Sequence, residues 1–304
     1  MIPVAFDYTK PSTVDEAVQA LVAGGEDAKV ISGGQSLMPV LRLRMAAPSV
    51  LVDVGGIAEM NGVSDGGDHL LIGSNTTHHE VMNNALVKQH AGLLAMTAAT
   101  VADPQIRHRG TLGGSLAHAD PAGDLPTAAL ALECVMVAQG PKGRREIAAK
   151  DFFVDYFTSA LEPDEVLVAI KVPKMGDGWG YHYEKFNRTA QAWATVGVAA
   201  AVKRQNGTIT EARVALTNMG PSPIRASSVE SALAGASASA DAIAAASSSA
   251  ADGTRPTSDL HATAEFREHL ARVLTKRAVA QHNPPLNERV GGRSRRTGPP
   301  QSTY

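Results

Sequence analysis

The segment RGTLGGSLAHADPAGDLP (109–126) contains a pair of adjacent glycines, two prolines and two aspartates. An earlier segment, ISGGQSLMP (31–39), also has paired glycines followed by small polar residues. Neither segment contains G-x-G-x-x-G, and neither has the lysine of a phosphate-binding P-loop. Because glycine has no Cβ, backbone amides at such turns can approach an anion closely. The two segments therefore predict two turns that hold a pyrophosphate from both sides, and the alternative is a pair of ordinary tight turns.

The composition indicates a globular protein with no general attraction to nucleic acid or acidic lipid. The chain has 304 residues, 44% hydrophobic and 19% charged, and a formal net charge of -2. The single cysteine, Cys134, excludes an internal disulfide and a cysteine-rich zinc or iron–sulfur site. The first residues lack a signal-peptide pattern, and no run reaches the ~18–20 apolar residues that span a bilayer. We therefore expect a cytoplasmic protein that is not an integral membrane protein.

The N-terminal residues predict a compact β-α-β-like unit. A helix is expected over 12–25, because Thr13 and Glu16 have the spacing of a capping box and apolar residues follow on one face. Buried strands are expected at 28–32 and 49–55, the first of them ending directly before the first pair of glycines.

The remaining pattern divides the chain into further units. The first unit is expected at 1–55 and a second at 56–175, followed by the glycine-rich linker 176–180. A third unit, at 178–282, begins with two strands joined by an Asn-Gly turn and ends in helices. The tail, 283–304, is rich in Pro, Gly, Ser and Arg, which predicts disorder.

Two carboxylates in the second glycine segment suggest more than one role. Asp120 and Asp124 are spaced for one helical face, which would suit a metal or acid–base site, but Pro121 and Pro126 argue against a continuous helix. Further metal ligands are not obvious nearby. Asp124 could instead cap the following helix or accept a hydrogen bond from a sugar hydroxyl.

The other polar and aromatic candidates leave alternatives open. A two-histidine metal site is conceivable, although histidines in loops are more often structural; the candidates are His78, His79, His108 and His118. Arg107 and Arg109 could meet a phosphate or remain solvated. Trp193 could stack on a flat ring or belong to the core. No nucleophile–histidine arrangement or G-x-S-x-G is found, so the motifs predict no nucleophilic catalysis.

Two longer stretches resemble a known family. ISGGQSLMPVLRLRMAAPSVLVDV (31–54) and ADPQIRHRGTLGGSLAHADPAGDLPTAALAL (102–132) are similar to the two FAD-binding segments of the flavoprotein subunits of molybdenum hydroxylases. That family includes the medium subunits of carbon monoxide dehydrogenase and their relatives in xanthine, nicotine and quinoline-type hydroxylases. The resemblance covers about residues 1–282.

The resemblance implies a fold, a cofactor and partners. The fold would be α+β: a two-part FAD-binding domain of the vanillyl-alcohol-oxidase (PCMH) type, then a C-terminal antiparallel sheet with helices. The chain would bind FAD and associate with a large molybdopterin subunit and a small [2Fe–2S] subunit, as a dimer of heterotrimers. Electrons would pass from the clusters through FAD to quinone, NAD or oxygen. The complex could be peripheral at the inner membrane.

The resemblance also implies which residues contact FAD. They are Val30, Ile31, Ser32, Gly33, Gly34, Gln35, Ser36 and Leu37, then Val101, Thr111, Leu112, Gly113, Gly114, Ser115, Asp124, Leu167, Lys185 and Trp193. Two positions depart from the pattern of carbon monoxide dehydrogenases, Gln35 where histidine is expected and Ala192 where an acidic residue is common. The resemblance makes carbon monoxide the first expectation for the substrate of the complex. The two departures count against it, and the alternative is an N-heterocycle, nicotine-type, xanthine or aldehyde hydroxylase.

Overall fold

The computed structural model describes residues 2–281, and its N-terminal part is a small parallel sheet. Its elements are β1 (Asp7–Thr9), α1 (Val14–Gly24), β2 (Ala28–Ile31), α2 (Leu37–Arg42) and β3 (Val50–Asp53). β3 lies in the centre and pairs in parallel with both β1 and β2. The predicted β-α-β opening is present, and its second strand leads directly into the first glycine segment.

Helix α1 begins and ends close to the residues that the sequence indicated. The Thr13 hydroxyl accepts a hydrogen bond from the Glu16 amide at 3.2 Å, and Gly25 ends the helix with φ of 67°. The Glu16 carboxylate accepts from the Ser12 amide at 2.7 Å rather than from Thr13. One half of the predicted capping box is therefore displaced by one residue. The Glu16 carboxylate accepts from the Ser12 amide and hydroxyl instead of from the Thr13 amide.

The middle part is a five-stranded antiparallel sheet with helices inserted between its second and third strands in chain order. The elements are β4 (Val63–Asp65), β5 (His69–Gly73), α3 (His78–Asn83), α4 (Ala85–His90), α5 (Gly92–Ala99), α6 (Pro104–Arg107), α7 (Leu112–His118), α8 (Asp124–Ala131), β6 (Val135–Gly140), β7 (Gly143–Ala148), α9 (Ala149–Phe152), β8 (Phe153–Asp155), β9 (Thr158–Ser159) and β10 (Val166–Pro173). The strand order is β4-β5-β10-β6-β7, and β8 pairs with β9 as a separate hairpin. The second glycine segment therefore lies at α7, within the inserted helices.

The C-terminal part is a four-stranded antiparallel sheet covered by helices. Its elements are β11 (Trp179–Phe186), β12 (Val196–Gln205), β13 (Thr208–Thr217), β14 (Ile224–Arg225), α10 (Ser227–Leu233), α11 (Ala240–Ser247) and α12 (Ala264–Ala280). The order β11-β12-β13-β14 follows the chain. Asn206 and Gly207 form the predicted tight turn between β12 and β13, both with positive φ (52° and 77°). The α+β class is confirmed.

The C-terminal sheet shares one hydrophobic core with the middle part. On one face, Tyr181 and Tyr183 of β11 pack with Leu93, Leu94 and Leu125 of the inserted helices. The other face packs against α10, α11 and α12 in a second cluster. The alternation of side chains along β11 and β12 thus joins the third unit to the second through buried apolar area.

One prediction about the chain path is wrong. The expected linker 176–180 ends inside a strand, because Trp179 and Gly180 are the first residues of β11. Trp179 is buried, and the Arg213 guanidinium lies over its ring, 4.8 Å from the centroid. The predicted tail, 283–304, lies outside the described residues. In residues 2–281, the helices are all too short or too polar to cross a lipid bilayer.

Candidate functional site

A cavity of about 690 Å³ lies where the three parts of the chain meet. Its volume is within the ~300–1,000 Å³ range of small-molecule sites. The structure brings nearly all of the predicted site residues to its wall: Val30, Ile31, Ser32, Gly33, Gly34, Gln35, Ser36, Leu37, Val101, Thr111, Gly113, Gly114, Ser115, Asp124, Leu167, Lys185 and Trp193. Leu112 is the exception, because its side chain points into the main core and is 1% exposed.

The first glycine segment leaves its backbone amides available. The chain turns between β2 and α2, with Gly34 at φ of 73°, a conformation that glycine adopts without strain. The Gln35 amide group donates to the Gly33 carbonyl at 2.9 Å and holds the turn closed. Within residues 2–281, the backbone N–H groups of residues 33–36 donate to no other group. Four consecutive unpaired amides at a cavity wall are donors suited to a phosphate.

The second glycine segment uses its amides within the protein. The Leu112 and Gly113 amides donate to the carbonyls of Thr76 and Ser74 at 2.9 and 2.8 Å. The Gly114 amide donates to the Thr111 hydroxyl, which caps α7, at 3.1 Å. The prediction that both turns present amides to one anion therefore does not hold in this structure. The second segment contributes close packing and an open glycine surface instead.

The paired glycines of the second segment face different surroundings. A Cβ on Gly113 would lie 2.3 Å from the Ser74 Cβ and 2.8 Å from the Ser74 carbonyl oxygen, so this glycine allows the segment to pack on the end of β5. A Cβ on Gly114 would approach only the Thr111 hydroxyl, at 2.8 Å, and Gly114 is otherwise exposed at the cavity. Gly114 is therefore the glycine where a cofactor can approach the backbone.

Two buried polar atoms at the cavity have no partner in the described part of the chain. They are the Ser74 hydroxyl and Nδ1 of His78. Burial lowers the pKa of His78 to about 4, and the positive charge of Arg107 acts in the same direction. His78 is therefore neutral near pH 7, and either buried atom can form a hydrogen bond with a bound polar molecule. Buried polar atoms without partners indicate a ligand that satisfies them.

A buried ion pair forms another part of the wall. The Lys185 ammonium donates to Oδ2 of Asp124 at 2.7 Å, and the two side chains are 7% and 4% exposed. The Tyr183 hydroxyl donates to Oδ1 of Asp124 at 2.6 Å. Burial raises the pKa of Asp124, and Lys185 and Tyr183 oppose that change. Asp124 does not cap α8, whose N-cap is Gly123. Its carboxylate instead joins α8 to β11.

Trp193 lies at the mouth of the cavity. Its side chain is 57% exposed, so it does not belong to the hydrophobic core. The next residues are anchored, because the Ala194 carbonyl accepts from the Asn218 side chain at 2.8 Å and the Thr195 carbonyl accepts from Arg267. An exposed indole on an anchored strand end is available to stack on a flat ring.

Three of the remaining candidates, Asp120, His118 and Arg107, have structural partners. Asp120 accepts from the Ala122 amide at 2.9 Å, which closes the turn before α8, and His118 lies 3.9 Å from its carboxylate. The Arg107 guanidinium donates to the Val101 and Ala102 carbonyls. No cluster of three or more metal-ligating side chains occurs in residues 2–281.

Sequence reasoning missed Asn75, which holds the predicted residue Ser32 beside the second glycine segment. Asn75 accepts from the Ser32 hydroxyl at 2.6 Å and donates to the Val54 carbonyl at 2.7 Å. The same Ser32 hydroxyl lies 3.3 Å from that of Thr111. A polar SNTT run directly after an apolar strand was the available signal, since such residues usually lie at strand ends where ligands bind.

The wall residues fit FAD. Residues 33–36 supply amides for the pyrophosphate, Gly114 leaves room beside it, and Trp193 offers a flat surface to the ring. The unpartnered Ser74 and His78 atoms and the Asp124–Lys185 pair are suited to the sugar-like chain or the polar edge of the ring.

Comparisons with known proteins agree with this fit. The FAD binding domain in molybdopterin dehydrogenase matches residues 4–175. The CO dehydrogenase flavoprotein C-terminal domain matches residues 181–282. Together, the two matches cover nearly all of the chain that the structure describes.

Individual relatives match over most of their length. The carbon monoxide dehydrogenase medium chain of Hydrogenophaga pseudoflava is 38% identical over 92% of this chain and 97% of its own. The 6-hydroxypseudooxynicotine dehydrogenase complex subunit alpha of Paenarthrobacter nicotinovorans is 36% identical over 92% and 95%.

Solved structures show the same fold. A carbon monoxide dehydrogenase structure from Hydrogenophaga pseudoflava superposes with a TM-score of 0.90 at 39% identity, covering 92% of this chain and 97% of that one. Quinoline 2-oxidoreductase from Pseudomonas putida 86 gives 0.88 at 33% identity, covering 92% and 97%. The chain therefore belongs to the FAD-binding medium subunits of the molybdenum hydroxylases and is an FAD-dependent oxidoreductase subunit.

Proposed function

We propose that this chain is the electron-transfer subunit of an aerobic carbon monoxide dehydrogenase. In that role it links the [2Fe–2S] clusters of a small partner subunit, through its FAD, to an external acceptor. The substrate is oxidised on a large molybdopterin subunit. The observation that supports the electron-transfer role most directly is the cavity, which combines unpaired amides with an exposed indole and a buried ion pair but contains no nucleophile–base pair.

FAD supplies the redox chemistry when it is bound. The residues of the chain bind it, orient it and set the charge around it. The amides of residues 33–36 would hold the pyrophosphate, and Trp193 would cover the ring at the mouth of the cavity. The Asp124–Lys185 pair would place a cation with its counter-ion at the buried side. None of these groups is required to transfer a proton to or from the substrate of the complex.

Two relatives support carbon monoxide as the substrate, and two features favour an alternative. Two carbon monoxide dehydrogenase medium chains are similar to this chain at 38% and 36% identity. A nicotine 6-hydroxylase medium subunit is 35% identical, and Gln35 departs from the residue expected in carbon monoxide dehydrogenases. A flavin subunit of an N-heterocycle, nicotine-type, xanthine or aldehyde hydroxylase is therefore the second candidate.

The purified complex tests the substrate. Anaerobic carbon monoxide is expected to bleach the visible flavin absorption of the complex, while nicotine, quinoline, xanthine, caffeine and glyceraldehyde leave it unchanged. Bleaching by one of these compounds and not by carbon monoxide would establish the second candidate. Reoxidation of the reduced complex by a quinone, NAD or oxygen, compared at equal concentrations, identifies the acceptor.

The assembly and its location belong to the same proposal. We expect large and small subunits to co-purify with this chain, and a mass that fits a dimer of heterotrimers. The proposed organisation of the chain is an FAD-binding region in two parts, 1–55 and 56–175, and a C-terminal unit at 178–282. A cytoplasmic complex, in part peripheral at the inner membrane, is expected from cell fractionation.

A further inference from the structure

The Asp124 carboxylate is held by two donors from one strand. Lys185 and Tyr183 are two positions apart on β11, so their side chains project from the same face of the sheet. They reach the two oxygens of the carboxylate separately, at 2.7 and 2.6 Å. Lys185 also donates to the Thr100 carbonyl at 3.2 Å and lines the flavin cavity, while Tyr183 lies behind the pair in the core.

The Tyr183 hydroxyl is itself fixed from behind. The Thr217 hydroxyl lies 3.1 Å from it, and the Thr127 hydroxyl lies 2.7 Å from Thr217. The space for this chain of hydroxyls exists because residue 197 is glycine. A Cβ at Gly197 would lie 2.4 Å from the Tyr183 hydroxyl and 2.9 Å from Thr217 Oγ1. Thr217 donates its own proton to the Thr127 hydroxyl, and the Tyr183 hydroxyl donates to the Asp124 carboxylate.

Burial makes the ionisation of this pair dependent on such a donor. A buried Asp and Lys can exist as an ion pair or, after proton transfer, as two neutral groups. A hydroxyl that donates to the carboxylate stabilises the ionised form. Burial raises the pKa of Tyr183 far above its usual range, so Tyr183 remains a donor at every physiological pH. Asp120 also faces Asp124, and its charge acts against ionisation of Asp124.

We propose that Tyr183 is a positioning residue that keeps Asp124 ionised and thereby holds the charged Lys185 ammonium at the flavin cavity. The inference rests on the proposed placement of FAD against Asp124 and Lys185. Tyr183 does not touch the cavity, so it acts through the ion pair alone. Its hydroxyl would thus set both the affinity for FAD and the pH range over which that affinity is kept.

Tyr183→Phe tests this proposal in the full chain, stripped of flavin and titrated with FAD by fluorescence quenching. The ring is retained in the core and only the hydroxyl is lost. FAD affinity is expected to fall about tenfold near pH 7, since a hydrogen bond to a charged group is removed. As the pH is lowered, affinity is expected to be lost about one pH unit earlier than in the parent, because Asp124 without its donor protonates more readily.

Tyr181→Phe is the matched control, because Tyr181 is on the same face of β11, is equally buried, and does not contact Asp124. It is expected to keep the pH profile of the parent. Equal losses in both variants, or a parent-like profile for Tyr183→Phe, would overturn the proposal. If the parent chain binds no FAD, the placement of FAD fails together with this inference.

Thr217→Val is a second test of the role of the Tyr183 hydroxyl if Tyr183→Phe does not fold. The substitution preserves the shape of the side chain and removes only the hydroxyl behind Tyr183. The Tyr183 proton is then no longer shared between Thr217 and Asp124, so we expect FAD affinity to be kept and the pH profile to move slightly to lower pH. A folded Thr217→Val chain with an unshifted profile would refute the role of the Tyr183 hydroxyl.

Discussion

Both glycine segments contain a Gly-Gly pair, but the pair has a different structural role in each. In the first, residues 33–36 leave their amides unpaired at the cavity, and Gly34 has the positive φ that the turn requires. In the second, Gly113 allows the backbone to pack on Ser74, and Gly114 presents an open surface. Paired glycines therefore indicate which segments line the cavity, but they do not indicate which glycine of each pair faces it.

Gly33 packs against the backbone of the second segment, and glycine is needed there for a third reason. A Cβ there would lie 2.2 Å from the Arg109 carbonyl oxygen and 2.9 Å from the Cα of Gly110. The first glycine of the first segment is therefore fixed by the backbone that leads into the second. The two glycine segments form one packed unit here, so a change at Gly33 also displaces the second segment.

The largest expected effect is at this junction. Gly33→Ala is predicted to lower the free energy of unfolding by about 3 kcal/mol, because the clash is with backbone that cannot turn aside. FAD content is expected to fall below about a tenth of the parent, since both segments must move apart. Urea unfolding of the flavin-free chain and flavin content after purification measure these changes. A stable Gly33→Ala chain would show that the two segments are not packed as one unit.

A second substitution separates packing from cofactor binding. Gly114→Val is expected to lower FAD affinity at least tenfold, because its side chain enters the cavity. Disturbance of the Thr111 cap is expected to lower stability by about 1 kcal/mol. Gly114→Ala introduces the same Cβ near Thr111 with less volume in the cavity, so the difference between the two variants isolates the steric effect. Normal FAD affinity in both variants would remove Gly114 from the site.

The third prediction concerns pH. His78 donates its backbone amide to the Gly110 carbonyl at 2.9 Å, and the pKa of its side chain is lowered from 6.5 to about 4 by burial. The unfolded chain therefore binds more protons than the folded chain below pH 6.5, so stability falls as the pH is lowered from about 6.5 to 4. The loss attributable to this histidine reaches about 3 kcal/mol near pH 4.

His78→Gln is expected to remove that part of the pH dependence in urea unfolding of the flavin-free chain. His79→Gln, at the next position of α3 but only half-buried, is the control. An unchanged slope of stability against pH in the His78 variant would show that His78 is not buried as a neutral group.

The smallest expected effect tests the bridge between the segments. Ser32→Ala removes the hydroxyl that donates to Asn75 at 2.6 Å and lies 3.3 Å from the Thr111 hydroxyl of the second segment. It is expected to lower the stability of the flavin-free chain by about 1 kcal/mol. Ser36→Ala, in the same turn, is expected to change it by less than about 0.5 kcal/mol. Equal effects at the two serines would indicate that the Ser32 bridge does not link the segments.

The site was predictable where short-range chemistry determines structure. The strand that leads into the first pair of glycines, the cap at Thr13 and the Asn206-Gly207 turn follow from local rules, and the structure has them. The candidate FAD residues came from a resemblance carried by two long segments, and all but Leu112 line one cavity. Leu112 differs because the first turn of α7 directs it into the core while its neighbours face the cavity.

Other features were not predictable because they depend on contacts between distant parts of the chain. The hydroxyls of Tyr183 and Thr217 come within hydrogen-bonding distance of one another only when β11, β12 and β13 are paired. Trp179 could not be assigned to a strand from a Gly-Asp-Gly context, since it pairs with Lys203 of β12 and is buried in the main core only in the folded chain.

The sequence by itself determined the class of fold, the family and the two segments that form the wall of the FAD site. The family and the class of fold came from the resemblance of two long segments to a known family, and the turns and the helix cap followed from local chemistry. Tertiary structure alone decided which amides remain unpaired, which glycine faces the cavity, and which groups surround the buried Asp124 carboxylate. The physical reason is that hydrogen bonding and burial depend on contacts between residues that are far apart in the chain. The local sequence does not show which residues make those contacts.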